Sequence, residues 1–172
     1  EFYADYDHSI IIDKSRGWPI QSIMEVMEKV LGNKPKIIAT VRSIPDCMAS
    51  FVRIAKPKNL DNFIYSEPLS TYLKTTYLSL QQGYVFAPEC FCLVEYEDLI
   101  ADPKSQLDRI HAFLGLEDFE YNFTAIDGTS VQENDIKIHG YAGLHDIQPF
   151  LAKQHNEDPR DVLKHHYSTF CQ

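Results

Sequence analysis

KIIATVRSIPDCMASFVR, residues 36–53, is the stretch that decides the fold this sequence predicts. Its first part, Ile37 to Val41, is a short apolar run with the β-branched content of a strand buried on both faces. Pro45 stands where a proline favours the start of a helix. Arg42 is therefore predicted at the carboxyl end of a strand, the edge at which open α/β sheets bind ligands. Ser50 lies eight residues later, inside the predicted helix, with its hydroxyl within reach of the same crevice.

Arg42 and Ser50 have two interpretations. An arginine fork, a hydroxyl and free amides near a helix start together form a good phosphate clamp. Alternatively, Arg42 is a surface arginine on a loop and Ser50 is a small helix residue. Spacing alone favours this second interpretation.

Strand and helix patterns alternate along the rest of the chain, and they predict a single α/β domain over residues 1–172. Two further strands are predicted, at Ser9–Asp13 and Cys90–Glu95. The other predicted elements are a helix from Pro19 to Leu31 ended by Gly32, a polar connection at Pro57–Asn62, a helix from Pro68 to Gln82 closed by Gly83, a helix that starts at Asp102–Pro103 and ends at Gly115, and a last helix that begins at Asp158–Pro159. The order strand, helix, strand predicts a right-handed parallel crossover.

Composition and charge exclude several classes of function. The chain has 172 residues, 44% hydrophobic and 24% charged, as in an ordinary globular domain with a real core. Its formal net charge of −9 argues against nucleic acid and anionic membranes as partners, so a nucleotide site would need a local basic pocket. No apolar run approaches the roughly 20 residues of a membrane span.

The cysteines and histidines predict no metal site. Cys90 and Cys92 are spaced for neither a zinc site nor a redox pair, and are expected to be small buried residues on one strand face. A reducing cytoplasm is the simpler expectation for them. His111 lies on an apolar helix stripe and is predicted to be packed rather than catalytic. No set of His, Asp and Cys residues has ligand spacing in the sequence.

Four parts of the sequence resemble motifs of sulfotransferases that use 3′-phosphoadenosine 5′-phosphosulfate (PAPS) as sulfuryl donor. Val41 to Ser50 resembles the segment that binds the 3′-phosphate of the nucleotide. Asp13–Trp18 resembles a motif of bacterial members, and Tyr96–Leu99, with Phe113–Gly115 behind it, resembles a third motif. Gly140–Ile147 is similar to a C-terminal loop of the same bacterial proteins. The resemblance implies a three-layer α/β fold, P-loop NTPase-like, in which helices flank a central parallel sheet.

The resemblance also implies roles for individual residues. Arg42 and Ser50 would hold the 3′-phosphate of the nucleotide. Tyr96 would contact the adenine, and Lys14 would pair with charge on the sulfuryl group. In other members a late basic loop closes over the 3′-phosphate, and here Lys137 would take that part.

The general base of the implied reaction is left open. Arg16 stands where animal members carry a histidine base, and arginine cannot lose its proton at working pH. A carboxylate from upstream of the sequence shown is the first candidate. His145 and Asp13 are the weaker candidates.

The implied activity is in-line transfer of a sulfuryl group from PAPS to a hydroxyl or amine of a small-molecule or saccharide acceptor, without a metal. Homodimerisation is left open. Residues 1–8 contain no counterpart of the family's Gly/Ser-rich 5′-phosphosulfate turn, so this chain alone is expected to be incomplete for catalysis. That leaves an alternative, a non-catalytic nucleotide-binding or assembly module derived from the same fold. A P-loop kinase-like phosphotransferase is a third hypothesis, but the sequence shows neither its Walker lysine nor its magnesium carboxylate.

Overall fold

The computed structural model describes residues 10–65, 67–126, 151 and 157–171, and for residues 67–72 it describes the backbone. Helices and two short strands make up its regular structure. The helices are α1 (Gln21–Leu31), α2 (Ile44–Ala55), α3 (Leu60–Ile64), α4 (Glu67–Phe86), α5 (Tyr96–Ala101), α6 (Pro103–Leu114) and α7 (Pro159–Leu163), and the strands are β1 (Ile37–Val41) and β2 (Phe91–Glu95). Short 3-10 segments cover Pro88–Cys90 and Lys164–Phe170.

The two strands form a parallel sheet, and both were predicted from the sequence. In the register, Ile37 of β1 lies opposite Phe91 of β2, and Val41 lies opposite Glu95. Helices α2, α3 and α4 connect the strands, since parallel strands need a crossover. The carboxyl ends of β1 and β2 therefore meet at one edge of the sheet, which is the arrangement of an α/β fold.

One face of β1 is less covered than the sequence indicated. Ile37 is buried, but Ile38 is 38% exposed, and burial alternates along the strand. The prediction of a strand buried on both faces is wrong, because in the described residues the sheet has two strands and β1 lacks cover on one side.

The prediction of a strand at Ser9–Asp13 is also wrong for the residues that the structure describes. Ile10 to Asp13 has no regular secondary structure, and Ile12 is 82% exposed. Ser9 lies outside the described residues. A strand is stable only when its amides and carbonyls pair with a neighbour, and no described residue pairs with this stretch. The crossover expected between it and β1 is not formed in the described part of the chain.

Helix ends follow the local signals in the sequence. Gly32 and Gly115 end α1 and α6 with left-handed φ angles of 73° and 74°, as predicted for C-terminal glycines. Asp102 caps α6 by accepting a hydrogen bond from the Ser105 amide at 3.1 Å. Asp158 caps α7 in the same way, but the predicted last helix stops at Leu163 and continues as a 3-10 segment.

Gly83 does not close α4, which continues to Phe86. A Cβ atom at Gly83 would overlap the carbonyl oxygen of Pro19 and would lie 3.1 Å from the ring of Phe91. The glycine is therefore a point of close approach between α4 and the chain that leads into α1, and it is not a helix stop.

Two short helices were not predicted. The first, α3, takes up the last three residues of the stretch expected to be a polar connection; Asn59 caps it, and Ile64 at its end is 2% exposed. The second, α5, begins directly after β2. These helices, of five and six residues, are too short to show a periodic pattern in the sequence.

Two hydrophobic clusters stabilise the fold. The cluster beside the sheet contains Met24, Ile37, Ala87, Cys90 and Phe91, with Trp18, Leu80 and Leu93 packed against it. The second cluster joins α2, α3 and α7, and contains Met48, Ala49, Ile64 and Leu163 with Val52, Leu60, Leu73, Val162, Tyr167 and Phe170 around it. The second cluster thus fixes the C-terminal segment against α2 and α3.

Two cations connect α6 to the sheet. The Lys36 ammonium, just before β1, donates to the carbonyls of Phe113 and Leu114 at 2.8 and 2.9 Å, where α6 leaves carbonyls without partners. The Arg109 guanidinium donates to the Leu93 carbonyl of β2. These contacts fix α6 relative to both strands.

The four cysteines carry no disulfide, and Cys90 and Cys92 are buried, as predicted. In the described part of the chain, no helix has the length and apolar character to cross a membrane.

We predict that Gly83→Ala lowers the free energy of unfolding by about 1–3 kcal/mol, because the added methyl group overlaps the Pro19 carbonyl. An ordinary glycine in a helix would show the opposite sign, a gain of roughly 0.5–1 kcal/mol on replacement by alanine. Urea unfolding followed by circular dichroism measures the difference. Val85→Ala, at a side chain of the same helix that is 77% exposed, is the control and should change stability by no more than about 0.5 kcal/mol. Stabilisation by Gly83→Ala would contradict the close approach.

Candidate functional site

The structure brings Arg42 and Tyr96 together at the carboxyl edge of the sheet. Val41 and Glu95 are register partners at the ends of the two strands, and Arg42 and Tyr96 are the residues that follow them. The Arg42 guanidinium carbon lies 4.5 Å from the centroid of the Tyr96 ring. Both residues are half-buried, and a guanidinium over a partly desolvated ring is a favourable cation–π contact.

Two carboxylates surround the Arg42 guanidinium. Its Nη2 atom lies 3.8 Å from Oδ1 of Asp46, and its Nε atom lies 3.5 Å from Oε1 of Glu97. The Arg42 side chain is 19% exposed, whereas that of Glu97 is 57% exposed. One cation between two carboxylates leaves this edge with a negative local balance. An anionic ligand must therefore displace at least one carboxylate or be helped by further cations.

The Nε atom of Arg42 is buried and lacks a hydrogen-bond partner within the ranges that the structure describes. The ion pair with Glu97 is long, so this N–H is desolvated without a full hydrogen bond in return. A phosphate oxygen at this position would provide the missing acceptor. The residues thus fit a bound phosphate group.

Helix α2 carries a second cation, Arg53. Asp46, Ser50 and Arg53 follow at helical spacing of four and three residues, so they share one face of α2. Nη1 of Arg53 is buried and, like Nε of Arg42, has no hydrogen-bond partner among described residues. Sequence reasoning missed Arg53, although its spacing from Ser50 could have indicated it.

The amides at the start of α2 are partly occupied. Ser43 caps the helix and accepts a hydrogen bond from the Asp46 amide at 3.3 Å, and the Cys47 amide bonds the Ser43 carbonyl at 3.0 Å. Pro45 has no amide hydrogen. The free amides that the sequence suggested as part of a phosphate clamp are thus largely used by the cap, and side chains must supply most contacts to a ligand.

Cys47 lies in the first turn of α2, near Arg42. Burial raises the pKa of the Cys47 thiol, and the positive charge of Arg42 only partly opposes this. The thiol therefore stays protonated near neutral pH and is not an activated nucleophile.

Ser50, Lys14 and Lys137 are the other predicted site residues. Ser50 is half-buried in the second turn of α2. Lys14 is exposed, in a stretch without regular structure, and has no ion pair or hydrogen bond with another described residue. Asp13 and Arg16 are exposed in the same stretch. Lys137, together with the loop that contains it and His145, lies outside the described residues.

His111 is packed, as predicted. It is 8% exposed, its Nδ1 atom lies 2.6 Å from the Glu117 carbonyl oxygen, and its Nε2 atom lies 2.6 Å from the Tyr121 hydroxyl. Both ring nitrogens are therefore engaged in holding the chain that follows α6.

Comparison with known proteins gives one match. The model described as the sulfotransferase family matches residues 20–121, which is more than half of the chain and includes Arg42, Ser50 and Tyr96. Lys14 and Lys137 lie outside the matched range. No curated protein and no solved structure matches the chain.

We predict that Glu97→Gln strengthens binding of a phosphate-bearing ligand at Arg42 by about 1.4- to 5-fold, since exposed ion pairs of this kind contribute roughly 0.2–1 kcal/mol. Titration calorimetry with adenosine 3′,5′-bisphosphate measures the change. Asp98→Asn is the matched control, because it removes the same charge from the same helical turn at a residue that has no ion pair with Arg42 in the described structure. An equal gain for both variants would point to a general field effect and would contradict specific competition by Glu97.

Proposed function

This chain belongs to the sulfotransferase family, and we propose that it transfers a sulfuryl group from PAPS to an acceptor hydroxyl or amine. The observation that carries the proposal is the contact between Arg42 and Tyr96 at the carboxyl edge of the parallel sheet. It pairs a phosphate-binding group with an aromatic surface for a base, within the range that the family model matches. A nucleotide with a phosphate near its adenosine needs this combination.

In this proposal Arg42 and Ser50 bind the 3′-phosphate. The buried Nε atom of Arg42 gains the acceptor that it lacks, and the hydroxyl of Ser50 donates a further hydrogen bond. Tyr96 contacts the adenine. Arg53, on the same face of α2 as Asp46 and Ser50, would supply a further positive charge for the ligand.

The reaction is a displacement at sulfur. The acceptor oxygen or nitrogen bonds to the sulfur, the bond from sulfur to the 5′-phosphate oxygen breaks, and adenosine 3′,5′-bisphosphate leaves. The acceptor proton passes to a general base, for which a carboxylate is our first candidate. Positioning and charge stabilisation supply most of the rate enhancement, as in phosphoryl transfer.

We further propose that Lys14 pairs with charge on the sulfuryl group and that Lys137 approaches the 3′-phosphate. The Lys14 side chain is exposed, so a substrate can reach it. Arg16 binds charge and does not act as the base, because a guanidinium does not release its proton at working pH. A small molecule or a saccharide is the class of acceptor we expect.

We predict that adenosine 3′,5′-bisphosphate raises the melting temperature of the chain more than AMP does. At about 100 times its dissociation constant, a ligand raises the melting temperature of a domain of this size by roughly 5–10 °C. AMP lacks the 3′-phosphate, so it should give a much smaller shift at the same concentration. Differential scanning fluorimetry checks both ligands.

The variant Arg42→Ala should remove most of the difference between the two ligands, because it deletes a charge-assisted contact that is worth about 1.5–3 kcal/mol. Arg160→Ala, which removes the same charge from α7, is the control and should keep the difference. Equal shifts for the two ligands in the wild-type chain would overturn the assignment of Arg42 to a 3′-phosphate.

A further inference from the structure

Two histidines and an aspartate come together on α3 and the C-terminal 3-10 segment, elements that the nucleotide proposal does not use. Asp61 belongs to α3, and His165 and His166 belong to the C-terminal 3-10 segment. One potential ligand atom from each residue lies within 4.8 Å of the other two. Oδ1 of Asp61 is 2.6 Å from Nε2 of His166 and 3.7 Å from Nε2 of His165.

We propose that Asp61, His165 and His166 bind a divalent transition-metal ion of the Zn²⁺ class. Two imidazole nitrogens and one carboxylate oxygen form a donor set that suits zinc and its neighbours better than Mg²⁺ or Ca²⁺, which prefer oxygen ligands alone. Around a tetrahedral Zn²⁺ ion, ligand atoms are about 3.3 Å apart. The two separations from the Asp61 oxygen lie on either side of that value, so the side chains would rotate to take up an ion.

Tyr65 orients the buried member of the set. Its hydroxyl lies 3.3 Å from Nδ1 of His166, and the two rings meet edge to face with centroids 5.4 Å apart. His166 is 3% exposed, and Tyr65 on one ring nitrogen directs the other ring nitrogen at Asp61. Metal-binding histidines commonly have such a partner on the second nitrogen.

A part-buried hydrogen bond between Asp61 and His166 would by itself explain the position of these two residues. His165, whose side chain is 73% exposed, also turns its Nε2 atom towards the same carboxylate oxygen, at 3.7 Å. The His165 and His166 ring centroids are only 3.9 Å apart. The three donor atoms therefore lie near one common point, as a shared ion requires.

The open side of the cluster allows an ion to enter. The side chains of Asp61 and His165 are 62% and 73% exposed, so solvent reaches two of the three ligands. Three protein ligands leave one position of a tetrahedral ion for water. The third ligand, His166, is buried.

The packing of α3 and α7 organises the site before any ion binds. Asp61 and His166 are 105 residues apart in the sequence, and Ile64 and Leu163 of the second hydrophobic cluster bring their elements together. A bound ion would therefore fasten the C-terminal segment to α3. Binding would add to stability, because the ion binds the folded chain in preference to the unfolded chain.

The test uses Zn²⁺ with the 172-residue chain. Isothermal titration should show one tight site, and saturating Zn²⁺ should raise the melting temperature by about 5–10 °C, whereas Mg²⁺ and Ca²⁺ at the same concentration should not. His165→Ala and Asp61→Asn should each weaken Zn²⁺ binding at least 10-fold. His165 is exposed, so the first of these variants keeps the fold and the test does not depend on changing buried His166.

Two matched variants complete the design. Asp108→Asn removes a carboxylate that pairs with Lys104 on α6, and should leave Zn²⁺ affinity unchanged. Tyr65→Phe deletes only the hydroxyl beside Nδ1 of His166 and should weaken binding by roughly 10-fold. The proposal is overturned if Zn²⁺ does not bind, if His165→Ala and Asp61→Asn bind it as tightly as the wild-type chain, or if Mg²⁺ binds equally well.

Discussion

The parallel pairing of β1 with β2 is the interaction on which the rest of the structure depends. The register sets Val41 opposite Glu95, so the two residues that follow the strands, Arg42 and Tyr96, must emerge side by side. A shift of one strand by one residue would turn that strand's side chains to the opposite face and would separate the pair. The hydrophobic cluster beside the sheet and the contacts of Lys36 and Arg109 with α6 and β2 hold that register. The candidate site is thus a direct consequence of strand alignment.

The electrostatics of the site explain how an acidic chain can bind an anion. The net charge of −9 gives no long-range attraction for a nucleotide, and Arg42 is already paired with Asp46 and Glu97. These ion pairs are long and one carboxylate is largely exposed, so they contribute little and are easily exchanged. A phosphate can offer the buried Nε atom of Arg42 a shorter, better aligned hydrogen bond. Specificity would then come from local desolvation and geometry, since the overall field opposes binding.

Local signals in the sequence predicted the strands and helix ends that depend on neighbouring residues. They did not predict contacts between residues that are distant in the sequence. The strand Ile37–Val41 and the glycine ends of α1 and α6 were predicted because their patterns lie within a few residues. The prediction that Gly83 ends α4 was wrong, because the position needs a glycine where the Pro19 backbone comes close, and Pro19 is more than sixty residues away in the sequence. Sequence placed Arg42 and Tyr96 at strand ends, but it could not show their contact with Glu97. The cluster of Asp61 and His166 has no signal in the sequence at all, since the residues meet only through tertiary packing.

The most direct measurement is a crystal structure of the chain with adenosine 3′,5′-bisphosphate, because it tests whether the carboxyl edge of the sheet holds the nucleotide by its 3′-phosphate. We predict 3′-phosphate oxygens about 2.7–2.9 Å from the Arg42 guanidinium, with the Ser50 hydroxyl in contact and the adenine beside Tyr96. We also predict that the Glu97 carboxylate is displaced from Arg42. A nucleotide bound elsewhere, or one whose 5′-phosphate alone contacts Arg42, would contradict the assignment of Arg42 to the 3′-phosphate.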